Sequence, residues 1–442
     1  MYRDSVEALK RWKENPKRKP LIIYGARQVG KTWLMKEFGR TEYENLVYIS
    51  CDGKDFPKEI FNNAASPKRI IRSLETWSGK LILPGNTLLI LDEIQEAPEA
   101  LSSLKYFAEE APEYHIICAG SLLGVAHHNG TSFPVGKVNF LYLYPLSFRE
   151  FLCALHEDSY VELLSRLNET SPFREQYIKL LKLYYFVGGM PEAVLTYVET
   201  HDVSEVRKVQ QEILSSYELD FSKHAPSADV PKIRMLWNSI PAQLAKENRK
   251  FIYGAVRPGA RAKEYERALL WLQDCGLVYK VNRVSAPKIP LKAYEDGKAF
   301  KLYLSDTGLL SCLSGLSAES IFSGNKLFTE FKGALTEQYV LQELKSQGKD
   351  VFYWTNDMGT AELDFLLSMN ENIIPVEVKA ETNLQAKSLK VYREKYNPEI
   401  SLRISMADFR IEDDSTGKKL INLPLYMVSL LEDLSLLIFR DK

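Results

Sequence analysis

Leu21-Ile22-Ile23-Tyr24-Gly25-Ala26-Arg27-Gln28-Val29-Gly30-Lys31-Thr32 is the stretch on which the reading of this chain turns. Four apolar residues lead into a match to G-x-x-x-x-G-K-T, and the residues that follow suit a helix. A strand, a glycine turn and a helix in that order is the setting in which this pattern cradles phosphate. Gly25 and Gly30 let the backbone turn and come close to a ligand. Successive N–H groups from Ala26, Arg27, Gln28 and Val29 onward can curl around a phosphate, and the positive end of the following helix favours the anion. Lys31 is expected to reach the outer phosphates, and the Thr32 hydroxyl to be a ligand for Mg2+. The chain is therefore expected to bind ATP with Mg2+.

Such a loop needs an acidic strand beside it. Leu88-Leu89-Ile90-Leu91-Asp92-Glu93 supplies one: four apolar residues suit a strand buried on both faces, and the acids fall at its C-terminal end, where α/β sheets bind ligands. Asp92 is expected to hold Mg2+ through water, and Glu93 to polarise the attacking water. The next apolar run, His115 to Ala119, leads to Ser121, which is either a sensor of the γ-phosphate or an ordinary turn serine. Further apolar runs lie at Leu46 to Ile49 and Val138 to Leu143, with helical segments between most of them. Strands alternating with helices imply a parallel sheet covered on both faces, closing near Pro145.

The rest of the chain bounds the possibilities. With 442 residues, two to four domains are expected. The net charge of −1 leaves no global attraction to nucleic acid or membrane, so any such attraction must be local. Five scattered cysteines (51, 118, 153, 275 and 312) without a C-x-x-C pair argue against zinc ribbons and disulfide frameworks, and a reduced cytoplasmic setting is expected. Met1 to Lys13 is too charged for a signal peptide. The apolar tail Leu423 to Phe439 is broken by Glu432 and Asp433, so a buried helix is expected there and no membrane span. Ser311 to Asn325, rich in serine and glycine, reads as a linker or loop.

Gly25 to Thr32, Leu91 to Gln95, Ala119 to Ser121 and Tyr144 to Phe151 together resemble a bacterial and archaeal AAA+ ATPase family whose members carry a C-terminal domain of uncharacterised function. Gly188-Gly189-Met190-Pro191-Glu192-Ala193 and Phe300 to Leu309 resemble further parts of the same family. The resemblance implies a multidomain α/β protein: a P-loop AAA+ core with a five-stranded sheet at 1–150, a helical lid at 151–216, a winged helix at 217–315 and a restriction-endonuclease-like domain at 325–442. Two departures stand out. Gly136-Lys137 replaces the family's Gly-Arg, losing the planar fork of arginine. Glu192 stands where related lids often place a basic residue, leaving Arg149 as the nearby candidate arginine.

Between Lys246 and Lys292 eleven basic residues face four acidic ones, a local excess of +7. Arg261, Lys263 and Arg267 fall largely off the apolar stripe of Tyr265, Ala268, Leu269 and Leu272. With Arg257 they form a candidate DNA contact ahead of a β-wing opening at Gly276; a solvated or packed basic face is the alternative. Further on, Glu337 on a helix precedes Asp364 and Glu377-Val378-Lys379 on strands. Period-two alternation sets Asp364, Glu377 and Lys379 on one face of those strands. In type and order the four resemble PD-(D/E)XK nucleases, which implies metal binding by Asp364 and Glu377, with Lys379 orienting water. A polar sheet face carrying ion pairs is the plain alternative. Three readings follow: an ATPase acting on DNA, a nucleotide-dependent switch that binds protein partners, and a metal-dependent nuclease whose ATPase region merely holds nucleotide; a homo-oligomer or a protein partner is a further expectation. None calls for a membrane.

Overall fold

The computed structural model describes residues 1–62, 66–120, 133–166, 169–247, 249–323, 326–356, 358–382, 385–414 and 417–432, without the side chains of 326–330. Two compact units emerge: Tyr2–Tyr144 with Asp274–Leu277, and Pro145–Gln273 with Val278–Lys442 and Met1.

The first unit is built on five strands, β1 (Leu21–Tyr24), β2 (Asn45–Ser50), β3 (Thr87–Asp92), β4 (His115–Ala119) and β5 (Asn139–Tyr142), in the order β2-β3-β4-β1-β5. Every neighbouring pair is parallel. The five expected apolar runs are these five strands. Parallel pairing explains their composition, because crossover helices cover the sheet and leave little room for polar alternation. All six residues of β3 are buried. Ile22, Ile49, Leu89, Leu91 and Cys118 join residues of the helices Pro67–Ser78 and Pro98–Glu110 in one core.

The second unit opens with helices, among them Phe148–Ala154, Arg174–Val187, Pro191–Thr200, Val203–His224 and Val230–Leu244. Ser147 begins the first of these with a capping box: its hydroxyl accepts from Glu150 N–H while Glu150 reaches back to Ser147 N–H. Beyond the helix Ala262–Asp274 come β6 (Val278–Val284), β7 (Glu295–Leu304), β8 (Phe352–Thr355), β9 (Glu362–Met369), β10 (Asn372–Val378), β11 (Ile400–Ser405), β12 (Arg410–Asp413) and β13 (Lys419–Pro424). They form one mixed sheet in the order β12-β13-β11-β10-β9-β8-β6-β7. The strand pair expected as a wing is the antiparallel pair β6–β7. Its β6 also pairs in parallel with β8, Asn282 against Phe352 and Arg283 against Tyr353, so these strands continue the C-terminal sheet.

Two motifs that looked unrelated in sequence interlock in this unit. Buried Asp306 accepts hydrogen bonds from Gly189 N–H (2.6 Å) and from Leu309 N–H (2.8 Å), capping the helix Thr307–Leu313. A Cβ at Gly188 would collide with the Asp306 carboxylate, and one at Gly308 with the Val187 carbonyl. The close approach accounts for the paired glycines of Gly188-Gly189 and for Gly308. Burial pushes the Asp306 carboxyl up to about 6, against the pull of these hydrogen bonds.

Two local expectations need correction. Ser311 to Asn325 is not an open linker: it contains the end of Thr307–Leu313 and the helix Ala318–Ser323, which bury Leu310, Ser311 and Ile321. The tail begins as β13, not as a helix, and continues into a 3-10 turn at Leu425–Leu430; positions 433–442 lie outside the described residues. Period-two alternation is lost there because β13 is buried through most of its length. Among the described residues no helix is long and apolar enough to cross a membrane.

Candidate functional site

In the first unit the loop between β1 and the helix Lys31–Glu42 has the backbone that the sequence requires. Gly25 (φ 154°) and Gly30 (φ 92°) have positive φ, and so does the non-glycine Gln28 (φ 66°). A side chain at Gly25 would strike the Leu143 carbonyl. Gly30, left-handed, caps a helix that opens directly at Lys31. Helix-opening N–H groups have no intrahelical acceptor and so face an anion. Lys31 is buried, and its Nζ donates to the carbonyls of Gly25 (2.9 Å) and Ala26 (2.8 Å). Burial lowers its pKa to about 8, while Glu93 and Asp92 pull the other way. Its ammonium rests on backbone dipoles, which a phosphate can outcompete.

Asp92 ends β3 facing the loop. The Thr32 hydroxyl donates to its Oδ2 at 2.6 Å, and Tyr48 on β2 donates to the same oxygen at 3.1 Å. Two hard oxygen donors, a hydroxyl and a carboxylate, stand together as Mg2+ chemistry requires, so the residues fit that ion. Glu93 follows with a left-handed backbone (φ 48°), rare outside glycine and asparagine, which turns it sharply off the strand. Gln95 Nε2 donates to Glu93 Oε2 at 2.7 Å. Ser121 lies outside the described residues.

Three further side chains bear on this loop or its acidic partner strand, and none is among the expected site residues. Arg3, almost wholly buried, donates to the Val29 carbonyl (3.3 Å) and to the Tyr144 carbonyl (2.5 Å), tying the loop to the end of β5. Tyr48 and Gln95 hold Asp92 and Glu93. The Gln95 signal was present, two residues beyond the acid; Arg3 and Tyr48 give none, because their contacts span 26 and 44 residues. Lys137 pairs with Glu109 at 2.7 Å on an exposed surface.

In the second unit the expected acid cluster does assemble, with company. β9 and β10 pair antiparallel up to Val376 against Phe365, so the next step sets Glu377 beside Asp364. Val378 N–H donates to Asp364 Oδ2 at 2.7 Å. Lys379 pairs with Glu377 at 2.6 Å. Glu337, on the long helix Lys326–Ser346, is buried and accepts from Tyr303 OH at 2.9 Å. Two cations not foreseen from the motif enter: the Arg249 guanidinium bonds Glu337 and lies 3.9 Å from Asp364. Fully buried Lys301 lies 2.6 Å from Glu362 and 3.7 Å from Glu337. Burial alone would raise Glu337, but Arg249 and Lys301 outweigh it and hold its carboxyl down at about 2. Burial, then the neighbouring Glu337 and Glu377 carboxylates, drives the Asp364 carboxyl far above the usual carboxylate range. Burial raises Glu377 too, with Lys379 opposing.

This arrangement does not suit a divalent ion: Glu337 spends its oxygens on Arg249, Tyr303 and Lys301. Among the described residues no three carboxylate, histidine or cysteine side chains converge as a metal-binding set.

The basic stretch divides. Arg261 and Lys263 stand exposed at the start of Ala262–Asp274. Arg267 is 75% exposed while pairing with Asp229 at 3.0 Å, and Arg257 pairs loosely with Glu264 at 3.7 Å. Arg249 and Arg283 turn inward to Glu337 and Asp296. Part of the +7 excess is therefore spent inside the protein.

Residues 17–152 match the family described as an AAA domain. Residues 178–320 and 332–426 match two domains of unknown function, DUF8612 and DUF4143. No curated protein matches the chain. Similar solved structures include a Walker-type ATPase of Pyrococcus abyssi, 16% identical, covering 70% of this chain and 94% of that one with a TM-score of 0.43. The ORC2 protein of Aeropyrum pernix in its ADP form is 14% identical, covering 73% and 94% with a TM-score of 0.31. AMPPCP-bound DnaA from Aquifex aeolicus is 14% identical, covering 60% and 85% with a TM-score of 0.22. The phosphate loop, its acidic partner strand and the family match make residues 17–152 a nucleotide-binding AAA domain of the ATPase class.

Proposed function

We propose that the protein is a Mg2+-dependent ATP hydrolase that acts on DNA. The observation that carries the first part is the triangle of Lys31, Thr32 and Asp92: a buried ammonium donating to two backbone carbonyls, beside a hydroxyl–carboxylate pair 2.6 Å apart. Lys31 and the N–H groups from Gly25 to Thr32 bind the phosphates, and Thr32 and Asp92 hold the ion. Bound Mg2+ supplies charge neutralisation at the phosphates. Glu93 accepts the proton of the attacking water, and Gln95 is a positioning residue that aims it. Ser121 senses the γ-phosphate.

For the DNA part, Arg261 and Lys263 with Arg257 and Arg267 contact phosphates ahead of the β6–β7 pair, in the manner of a winged helix. The protein works in the cytoplasm, alone or with further copies or protein partners. The test is ATP hydrolysis with and without duplex DNA at two salt concentrations. DNA is expected to raise turnover, and added salt to abolish the rise, because phosphate contacts weaken steeply with salt. Turnover indifferent to DNA at low salt overturns the DNA part and leaves the hydrolase part standing.

One observation favours the second reading, a nucleotide-dependent switch for protein partners with a non-cleaving C-terminal domain. Glu337, Asp364, Glu377 and Lys379 have the order of a nuclease centre, yet Arg249 and Lys301 already pair with Glu337, and Lys379 with Glu377.

A further inference from the structure

We propose that Tyr48 is a positioning residue of the phosphate site: its hydroxyl fixes the Asp92 carboxylate independently of Thr32, and so sets how tightly a divalent ion binds beside the nucleotide. The inference rests on the Mg2+-dependent nucleotide reading above and adds to it a residue that lies outside both motifs.

Alternation along β2 decides where this side chain goes. Val47 and Ile49 are buried in the core that includes the helices Pro67–Ser78 and Pro98–Glu110. Tyr48 therefore falls on the other face of the sheet, where the helix Lys31–Glu42 lies. The Lys36 ammonium stands 3.6 Å from the centre of its ring. Lys36 is one helical turn beyond Thr32, so the helix that offers Thr32 to Asp92 also offers a cation to Tyr48. The register of β2 on β3 sets Ser50 beside Asp92. Tyr48, two positions earlier on the same face, has the length to reach Asp92 Oδ2 at 3.1 Å. Two strands and a helix thus hold the three side chains, and rigid elements place a site more closely than loops do.

The donors around Asp92 show why the phenol matters. Oδ1 accepts from Glu93 N–H at 3.1 Å, and Oδ2 from Thr32 at 2.6 Å and Tyr48 at 3.1 Å. A carboxylate accepts about four hydrogen bonds, so three are filled and one remains for water. Of the three donors, Thr32 is the one whose oxygen suits the ion, so it is the least constant holder of Asp92. Glu93 N–H and the Tyr48 hydroxyl then anchor one oxygen each and set the plane of the carboxylate. Without the phenol, Oδ2 is held by Thr32 alone among the described residues. Burial, then the Asp92 charge, pushes the phenol up to about 12, so the hydroxyl keeps its proton and donates throughout the neutral range. Groups that orient a metal site from behind in this way are worth about 10–100-fold in metal affinity.

The test is Mn2+ titration of the full chain with AMPPCP bound, followed by electron paramagnetic resonance, for wild type, Tyr48→Phe and Tyr43→Phe. Tyr48→Phe keeps the ring beside Lys36 and removes the hydroxyl alone. It is expected to bind Mn2+ about 10–100-fold more weakly than wild type. Its AMPPCP affinity in EDTA is expected to stay at the wild-type value, because the hydroxyl reaches Asp92 and not the loop. Hydrolysis by Tyr48→Phe should recover as Mg2+ is raised. Tyr43→Phe removes another partly buried hydroxyl of the same unit, bonded to His115 at 2.7 Å, and is expected to leave Mn2+ affinity unchanged. Equal Mn2+ affinity in wild type and Tyr48→Phe overturns the proposal and leaves the Mg2+ reading standing. An equal loss in Tyr43→Phe, or weaker AMPPCP binding by Tyr48→Phe in EDTA, also overturns it, since either would mean a general loosening of the unit. A wild type that binds AMPPCP but takes up no Mn2+ overturns the Mg2+ reading and this proposal together.

Discussion

The phosphate loop and the C-terminal cluster use the same ingredients, a buried lysine beside carboxylates, to opposite ends. Lys31 rests on two carbonyl dipoles and its pKa falls to about 8. Lys301 rests on Glu362 and Glu337, and although burial pulls its pKa down, the carboxylates raise it above the ordinary value. Partial charges leave a cation under-satisfied and ready for an anion; full charges satisfy it and shut the site. A buried lysine is thus a functional signal or a structural one according to what it faces.

The largest expected effect separates these two lysines by stability. Lys301→Met leaves buried carboxylates unpaired and is expected to destabilise the fold by about 3–5 kcal/mol. Lys31→Met removes a cation that burial disfavours, and the nucleotide-free protein should be unchanged or more stable by about 1–3 kcal/mol. Chemical denaturation measures both, and equal losses would erase the distinction.

Glu93→Gln should bind ATP normally while turnover falls by about 10²–10⁴-fold, the usual worth of a general base. Parent-rate hydrolysis by this variant would remove Glu93 from that role. Lys31→Met should weaken ATP binding by roughly 100-fold, since it removes a charge-assisted hydrogen bond from a buried site; calorimetric titration reads this directly, and unchanged affinity refutes it.

A pH dependence follows from the same lysine. Its pKa of about 8 lies below the ordinary 10.5, so between these values the unfolded chain holds more proton than the folded one. Nucleotide-free stability should therefore rise with pH across that window. ATP binding runs the other way: phosphates need the charged form, so affinity should fall by up to about tenfold per pH unit above about pH 8. A flat affinity from about pH 7 to about pH 9 would place Lys31 away from the phosphates.

The smallest expected change concerns the exposed half of the basic stretch. Reversing the charge at Arg261, Lys263 and Arg267 should weaken DNA binding about equally across sequences and flatten its salt slope by about 0.9 for each phosphate no longer neutralised. Gel shifts that do not move would mean that this helix face meets protein instead.

Where the determinants are local, the sequence was enough. Leu21 to Thr32 specifies strand, turn and helix within twelve residues, and the apolar runs of β2 to β5 are continuous because parallel strands are buried on both faces. Alternation in β9 and β10 placed Asp364, Glu377 and Lys379 together for the same reason of local geometry. What only the tertiary structure decided are the long-range partners: Arg3 on Val29, Tyr48 on Asp92, β6 beside β8, and above all Arg249 and Lys301 among the acids. An arginine 88 residues from its glutamate looks in sequence like one more charge in a basic run. Spacing tells which side chains share a face, but only the fold determines which opposite charge arrives from elsewhere to meet them.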